Sequence, residues 1–139
     1  MLYELLLVDD EESSRNGLAT YFPWEEQGFH ICGQVSDGKE ALEFLETKRV
    51  HVVLTDISMP GMDGIELARQ IHEKQKHPCV VFLSAYDDFQ YAQQAIRYGV
   101  RFYILGSLSR VGVGFFRIPP YSFVWSFFTF ISSMLIIRA

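Results

Sequence analysis

Asp56 closes the run Val52-Val53-Leu54-Thr55, and Pro60 and Gly61 follow it within five residues. A short run of β-branched and apolar residues favours a buried strand. Pro and Gly cannot continue one. Asp56 is therefore expected where a strand stops, at the carboxyl edge of a sheet, which is where open α/β sheets bind ligands. A second run, Leu5-Leu6-Leu7-Val8, ends in Asp9-Asp10-Glu11-Glu12. Two parallel strands would set Asp10 beside Asp56. Carboxylates that close repel unless a cation lies between them. One or two carboxylates with retained waters suit Mg²⁺. A carboxylate held there can also attack a phosphoryl group and form an acyl phosphate, so Asp56 is the candidate nucleophile. The plainer alternative is that these acids only complement helix N-termini. Two acidic strand ends together, one of them before Pro and Gly, weigh against it.

The elements that must hold these residues alternate in period. Strands are expected at about Glu4–Val8, Phe29–Gln34, His51–Thr55, Cys79–Ser84 and Arg101–Leu105. Helices are expected at about Ser13–Phe22, from Asp37 to Lys48, from Asp63 onward, and at Asp87–Tyr98, with Gly99 as a stop. Trp24 to Gly28 is expected to be a loop. Asp37-Gly38-Lys39-Glu40 and Asp63-Gly64-Ile65-Glu66 have the spacing of capping boxes. Ala41, Leu42 and Leu45 give one apolar stripe, and Ile65, Ala68 and Ile71 another. Alternating β and α with short connections means a parallel sheet covered on both faces. Five such strands fit the flavodoxin-like order 2-1-3-4-5, although periodicity alone does not choose it.

The segments Leu6-Leu7-Val8-Asp9-Asp10-Glu11, Asp56 to Gly64, and Leu83-Ser84-Ala85 together resemble the receiver domain of two-component response regulators. Trp24-Glu25-Glu26-Gln27-Gly28-Phe29 and Tyr86-Asp87-Asp88-Phe89-Gln90-Tyr91-Ala92 resemble the branch that usually carries an AraC-type DNA-binding domain behind the receiver. The resemblance covers Leu5 to about Leu105. It implies the doubly wound, five-stranded order above and a phosphoryl group passed to Asp56 from a sensor histidine kinase. It implies Mg²⁺ held by Asp10, Asp56 and the backbone carbonyl of Ser58, with Asp9 acting through water. It also implies a switch pair. Ser84, at a strand end, has a hydroxyl able to donate to a phosphoryl oxygen, and Tyr103 is the aromatic that turns inward with it. By pattern alone, Ser84 is a strand-end serine satisfying local backbone and Tyr103 an ordinary strand aromatic. A homodimer is compatible with the family.

The pattern breaks after residue 105. The family's last strand ends in Lys-Pro, and here the matching positions are Gly106 and Ser107, with no Lys after Lys76. Losing such a charged partner costs about 2–4 kcal/mol of transition-state stabilisation, by analogy with removal of one oxyanion donor. Residues 106–139 contain no acid, six of the chain's 12 Phe, and an uncharged run from Tyr121 to Ile137. The tail is apolar all round, without a helical stripe. Three readings stay open. One is a frameshift: Gly106 to Arg110 can be spelled by the codons GGA-AGC-CTA-TCG-AGG, one choice among the synonymous ones, which from their third base read Lys-Pro-Ile-Glu. The second is a membrane anchor, at the lower limit of length for a span. The third is a divergent last helix. The expected organisation is a receiver over 1–105 with an atypical or missing last helix, then an atypical apolar tail over 106–139, ending before an output domain.

Composition narrows the classes further. Net charge is −5, and all 17 acids lie at or before Asp88. An acidic body argues against direct nucleic-acid binding. Cys32 and Cys79 read as small buried hydrophobes, and His30, His51, His72 and His77 as edge or surface residues; their spacing does not suggest zinc. Met1-Leu2-Tyr3-Glu4 lacks a basic region and cleavage site, so a cytoplasmic body is expected and a membrane contact is not. Two further classes compete with a self-phosphorylating signalling module that is not a conventional enzyme. One is a phosphorylation-independent interaction module, favoured by the missing Lys. The other is a related Mg²⁺-dependent phosphatase. It is disfavoured because Ser58 stands where such enzymes usually need a second acid.

Overall fold

Strands β1 (Tyr3–Val8), β2 (Phe29–Val35), β3 (Val52–Asp56), β4 (Cys79–Ser84) and β5 (Phe102–Leu105) pair in parallel, in the order β2-β1-β3-β4-β5. This is the flavodoxin-like order expected from the sequence. The computed structural model describes residues 2–74, 76, 78–84, 93–94, 97–100 and 102–105. The tail over 106–139 and most of the helix expected at 87–98 lie outside them; Gln93, Gln94 and Arg97 are helical.

Helices α1 (Glu12–Tyr21), α2 (Gly38–Thr47) and α3 (Gly64–Glu73) fill the crossovers. Alternation along each strand divides the core. Leu6, Val8, Val53, Val80 and Phe82 face α2 and α3, and meet Leu42, Leu67 and Ile71 there. Leu5, Leu7, Val52, Leu54 and Val81 form the opposite face, which Leu18 and Ala19 of α1 help cover. A strand buried on both faces is apolar at nearly every position; Leu5 to Val8 in β1 and Val52 to Leu54 in β3 meet that demand.

Sequence and structure differ in detail. Strand and helix ends shift by a residue or so. The segment Glu25–Gln27 forms a short 3-10 turn inside the expected loop, stopped by Gly28 in a left-handed conformation. In α3 the buried face is Gly64, Leu67, Ala68 and Ile71, while Ile65 is only half-buried at its border. Both cysteines are half-buried rather than buried. Cys32 Sγ lies 3.4 Å from the Leu5 carbonyl, to which it donates. His51 does more than sit at an edge, since its Nδ1 accepts from the Glu4 amide at 2.9 Å.

The β1–β2 ladder is irregular. Leu5 pairs with Ile31 and Leu6 with Gly33, so Cys32 is an extra residue. Such a bulge reverses side-chain parity. Phe29 and Ile31 pack on the α1 side. Cys32 and Val35 pack on the α2 side.

Candidate functional site

Register brings the acids together. Val8 pairs with Thr55 across β1 and β3, so the residues that follow each strand emerge at one edge. Carboxylate oxygens of Asp9, Asp10 and Asp56 all lie within 4.8 Å of one another. Asp9 and Asp56 are half-buried, while Asp10 is exposed.

Backbone amides fix two of the three. The Glu11 amide donates to Asp9 Oδ1 at 2.9 Å, and the Ile57 amide donates to Asp56 Oδ1 at 2.7 Å. The Ser58 amide also favours the ionised Asp56. Beneath them, the Asp9 amide donates to the Val35 carbonyl at 3.1 Å. Arg15 Nη1 donates to the Asp9 carbonyl at 2.6 Å. Buried Thr55 donates from Oγ1 to the Asp56 carbonyl at 2.8 Å.

Burial pushes the Asp9 carboxyl up to about 6, and the charges of Asp56, Asp10 and Glu11 add to it; the Glu11 amide pulls the other way. Burial likewise raises Asp56, with Asp10 and Glu11 adding, against the amides of Ile57 and Ser58. Converging hard oxygens whose charge is uncompensated are what a divalent cation such as Mg²⁺ neutralises. The donor set fits that ion.

The loop after Asp56 is clamped at both ends. The Gly64 amide donates to the Ile57 carbonyl at 2.8 Å, and the Gly38 amide to the Met62 carbonyl at 3.3 Å. A Cβ on Gly64 would stand 2.3 Å from the Asp56 carbonyl oxygen, so only glycine allows α3 to begin so close to the acid. Gly61 turns the loop at φ 76°, a conformation glycine adopts without strain.

Residues 5–110 match the family described as the response regulator receiver domain. The chain belongs to this family. The receiver is 38% identical over 104 residues to the uncharacterized transcriptional regulatory protein YesN of Bacillus subtilis (strain 168), covering 75% of this chain and 28% of that protein. It is 34% identical over 104 residues to the transcriptional regulatory protein HptR of Staphylococcus aureus (strain NCTC 8325 / PS 47), covering 75% of this chain and 40% of HptR. The chain thus spans less than half the length of these curated relatives.

Among solved structures, it superposes on the receiver domain of AraT from Geobacillus stearothermophilus with a TM-score of 0.73 at 31% identity, covering 96% of this chain and 98% of that one. It also superposes on a chain of the CheX-CheY-BeF3-Mg²⁺ complex from Borrelia burgdorferi with a TM-score of 0.68 at 26% identity, covering 91% and 89%.

The other residues singled out from the sequence fall at defined places in the receiver sheet. Ser58 follows Asp56 by two residues and is exposed. Ser84 ends β4, one position beyond Leu83, the partner of Asp56. Tyr103 pairs with Phe82, which pairs with Thr55. Ser84 and Tyr103 therefore share the acidic edge of the sheet in register. Two residues at the corner were missed by sequence reasoning. Thr55 reads as one more β-branched strand residue. Arg15 reads as a polar helix position, and its only signal is its place four residues after Glu11, just inside the helix that the acids open.

Proposed function

We propose that the chain is a phosphoacceptor receiver, taking a phosphoryl group on Asp56 from a phosphohistidine of a sensor histidine kinase. The convergence of Asp9, Asp10 and Asp56 oxygens within 4.8 Å at the sheet edge carries this reading. An Asp56 oxygen forms the bond to phosphorus as the phosphorus–nitrogen bond breaks. The electron pair leaves with the imidazole, which takes a proton from solvent. Burial and the acids beside it make the Asp56 carboxylate more basic, which favours attack. The amides of Ile57 and Ser58 fix its orientation.

Asp10, Asp56 and the Ser58 backbone carbonyl would hold Mg²⁺, with Asp9 acting through water. The ion supplies positive charge against the carboxylates and phosphoryl oxygens. Ser84 would donate to the phosphoryl group and Tyr103 would follow it, as a shift between two packings. The chemistry is self-catalysed transfer and hydrolysis, not turnover of a separate substrate. A cytoplasmic receiver over 1–105 with a distinct tail over 106–139 completes the reading. The acidic body itself does not suit DNA.

Labelling with acetyl phosphate and Mg²⁺ tests the proposal. Asp56 should carry a phosphate that alkali and hydroxylamine both release, as they do from an acyl phosphate, and Asp56→Asn should abolish it. Undiminished labelling of Asp56→Asn would show that the acceptor is another residue. Gly106 and Ser107, in place of Lys-Pro, favour a second reading as a phosphorylation-independent interaction module. Absence of label in the unaltered chain would support that reading.

A further inference from the structure

The acidic corner has a cation that neither the metal nor the acceptor reading uses. Arg15 sits in the first turns of α1, its amide donating to the Glu11 carbonyl at 3.0 Å. Its side chain reaches under Asp9 and lines a cavity of about 20 Å³ together with Asp9, Thr55 and Asp56. The rest of the described lining is apolar: Leu7, Val8, Leu18, Leu54 and Leu83. Arg15 is the one cation among the described residues lining this space. Nη1 is engaged by the Asp9 carbonyl. Nε is buried and has no acceptor among the described residues.

A buried donor without an acceptor is costly, and a guanidinium is least at ease against apolar walls. Holding the Asp9 carbonyl needs one N–H, and it leaves unexplained the buried Nε of a residue that lines a cavity together with Asp56. A phosphoryl group on Asp56 would bring about −2 of charge and three acceptor oxygens. A guanidinium matches such an anion with parallel hydrogen bonds. The cavity has room for about one water, so a small shift of the fork is enough. The chain has no Lys beyond Lys76, so position 106 brings no ammonium to the site.

We propose that Arg15 is the cationic contact of the phosphoryl group on Asp56, supplied from α1 rather than from the end of β5. The inference rests on Asp56 being the acceptor.

Two equilibria separate this role from a structural one. Beryllofluoride with Mg²⁺ stands in for the phosphoryl group, and its affinity is read by ¹⁹F NMR. Mg²⁺ alone is titrated by calorimetry. Arg15→Met should weaken beryllofluoride about tenfold, the loss expected for one hydrogen bond to a charged group. Its Mg²⁺ affinity should stay the same or tighten, because a positive charge has left the acid cluster. Arg15→Gln keeps a donor for the Asp9 carbonyl without the charge, and carries the test if Arg15→Met does not fold. A parallel loss of both affinities would mean that Arg15 only braces the Asp9 backbone. No loss of either would mean it plays no part. Both results overturn the inference while leaving Asp56 as acceptor. An unaltered chain that binds no beryllofluoride and takes no label overturns the acceptor reading, and this inference falls with it.

Discussion

Asp9 ionises against the preference of the fold. Its pKa rises from 3.8 to about 6 on folding. Below the lower value both states are protonated, and Asp9 costs nothing. Between the two values the unfolded chain ionises first, so stability falls as pH rises. Above about 6 the full penalty applies. Two pKa units correspond to about 3 kcal/mol at most, and solvent screening at a half-exposed carboxylate leaves roughly 1–2 kcal/mol. Asp56, also raised, acts in the same direction. We expect the metal-free chain in chelator to lose urea stability between pH 4 and pH 6, and Asp9→Asn to flatten that slope and exceed the unaltered chain at pH 7.5. An unchanged slope in Asp9→Asn would contradict the assignment. Gly64→Ala is the backbone counterpart. Its methyl group would meet the Asp56 carbonyl oxygen and Ile57 Cα, neither of which can rotate away. The expected cost is roughly 1–3 kcal/mol in urea unfolding, with weaker Mg²⁺ binding because Asp56 must move. At this scale the acids were legible because a carboxylate at a strand end is unusual in the sequence itself. Arg15 was not, because its meaning depends on which way the fork lies under Asp9.

Helix starts were also legible, though only half of each capping box forms. Asp37 and Asp63 accept from the Glu40 and Glu66 amides, each at 2.8 Å. The return contact differs. Glu40 accepts instead from the Ser36 amide at 3.1 Å and the Ser36 hydroxyl at 3.0 Å, one residue earlier than the pattern implies. Glu66 turns along α3 to Arg69 and Gln70. Spacing selects which amide is capped, but a long Glu side chain goes to whichever donor is nearest. Asp37→Ala should cost about 1 kcal/mol of thermal or urea stability. Asp63→Ala should cost a similar amount and also reduce labelling of Asp56, because its helix begins against the acceptor loop; equal labelling would separate the cap from the site. The stripe on α3 was placed slightly off, with Ile65 in the position that Leu67 takes. Both fit a period of 3.6, and only the angle at which α3 meets the sheet decides between them.

The whole sheet pairs before residue 106. Both core faces were readable because β1, β3 and β4 are apolar at nearly every position, as only central parallel strands need to be; the strand order came from the family resemblance, since periodicity alone does not choose it. The tail was readable as a change of composition but not as a structure. No described helix is long and apolar enough to cross a membrane. We expect the expressed chain not to behave as an integral membrane protein: carbonate washing should release it, or leave a pellet that mild detergent does not dissolve. A carbonate-resistant fraction that detergent extracts would show an anchor.

The extra residue in β2 has its own consequence across the sheet. Cys32 lets Ile31 serve one layer and Val35 the other, and the Val35 carbonyl holds the Asp9 amide. For this gene, then, a missense change and an in-frame codon loss at the same place should end alike. Cys32→Ala should fold and accept phosphate nearly as well as the unaltered chain. Deleting the codon keeps every later word in frame and removes only the bulge: Leu5 can still pair with Ile31, Leu6 with Gly33 and Val8 with Val35, and Ile31 and Val35 then sit three residues apart, the spacing at which a regular strand serves both layers. The shortened chain should keep its Mg²⁺ affinity, because the Val35 carbonyl still meets the Asp9 amide; a lost affinity would show that the acids depend on the bulge itself.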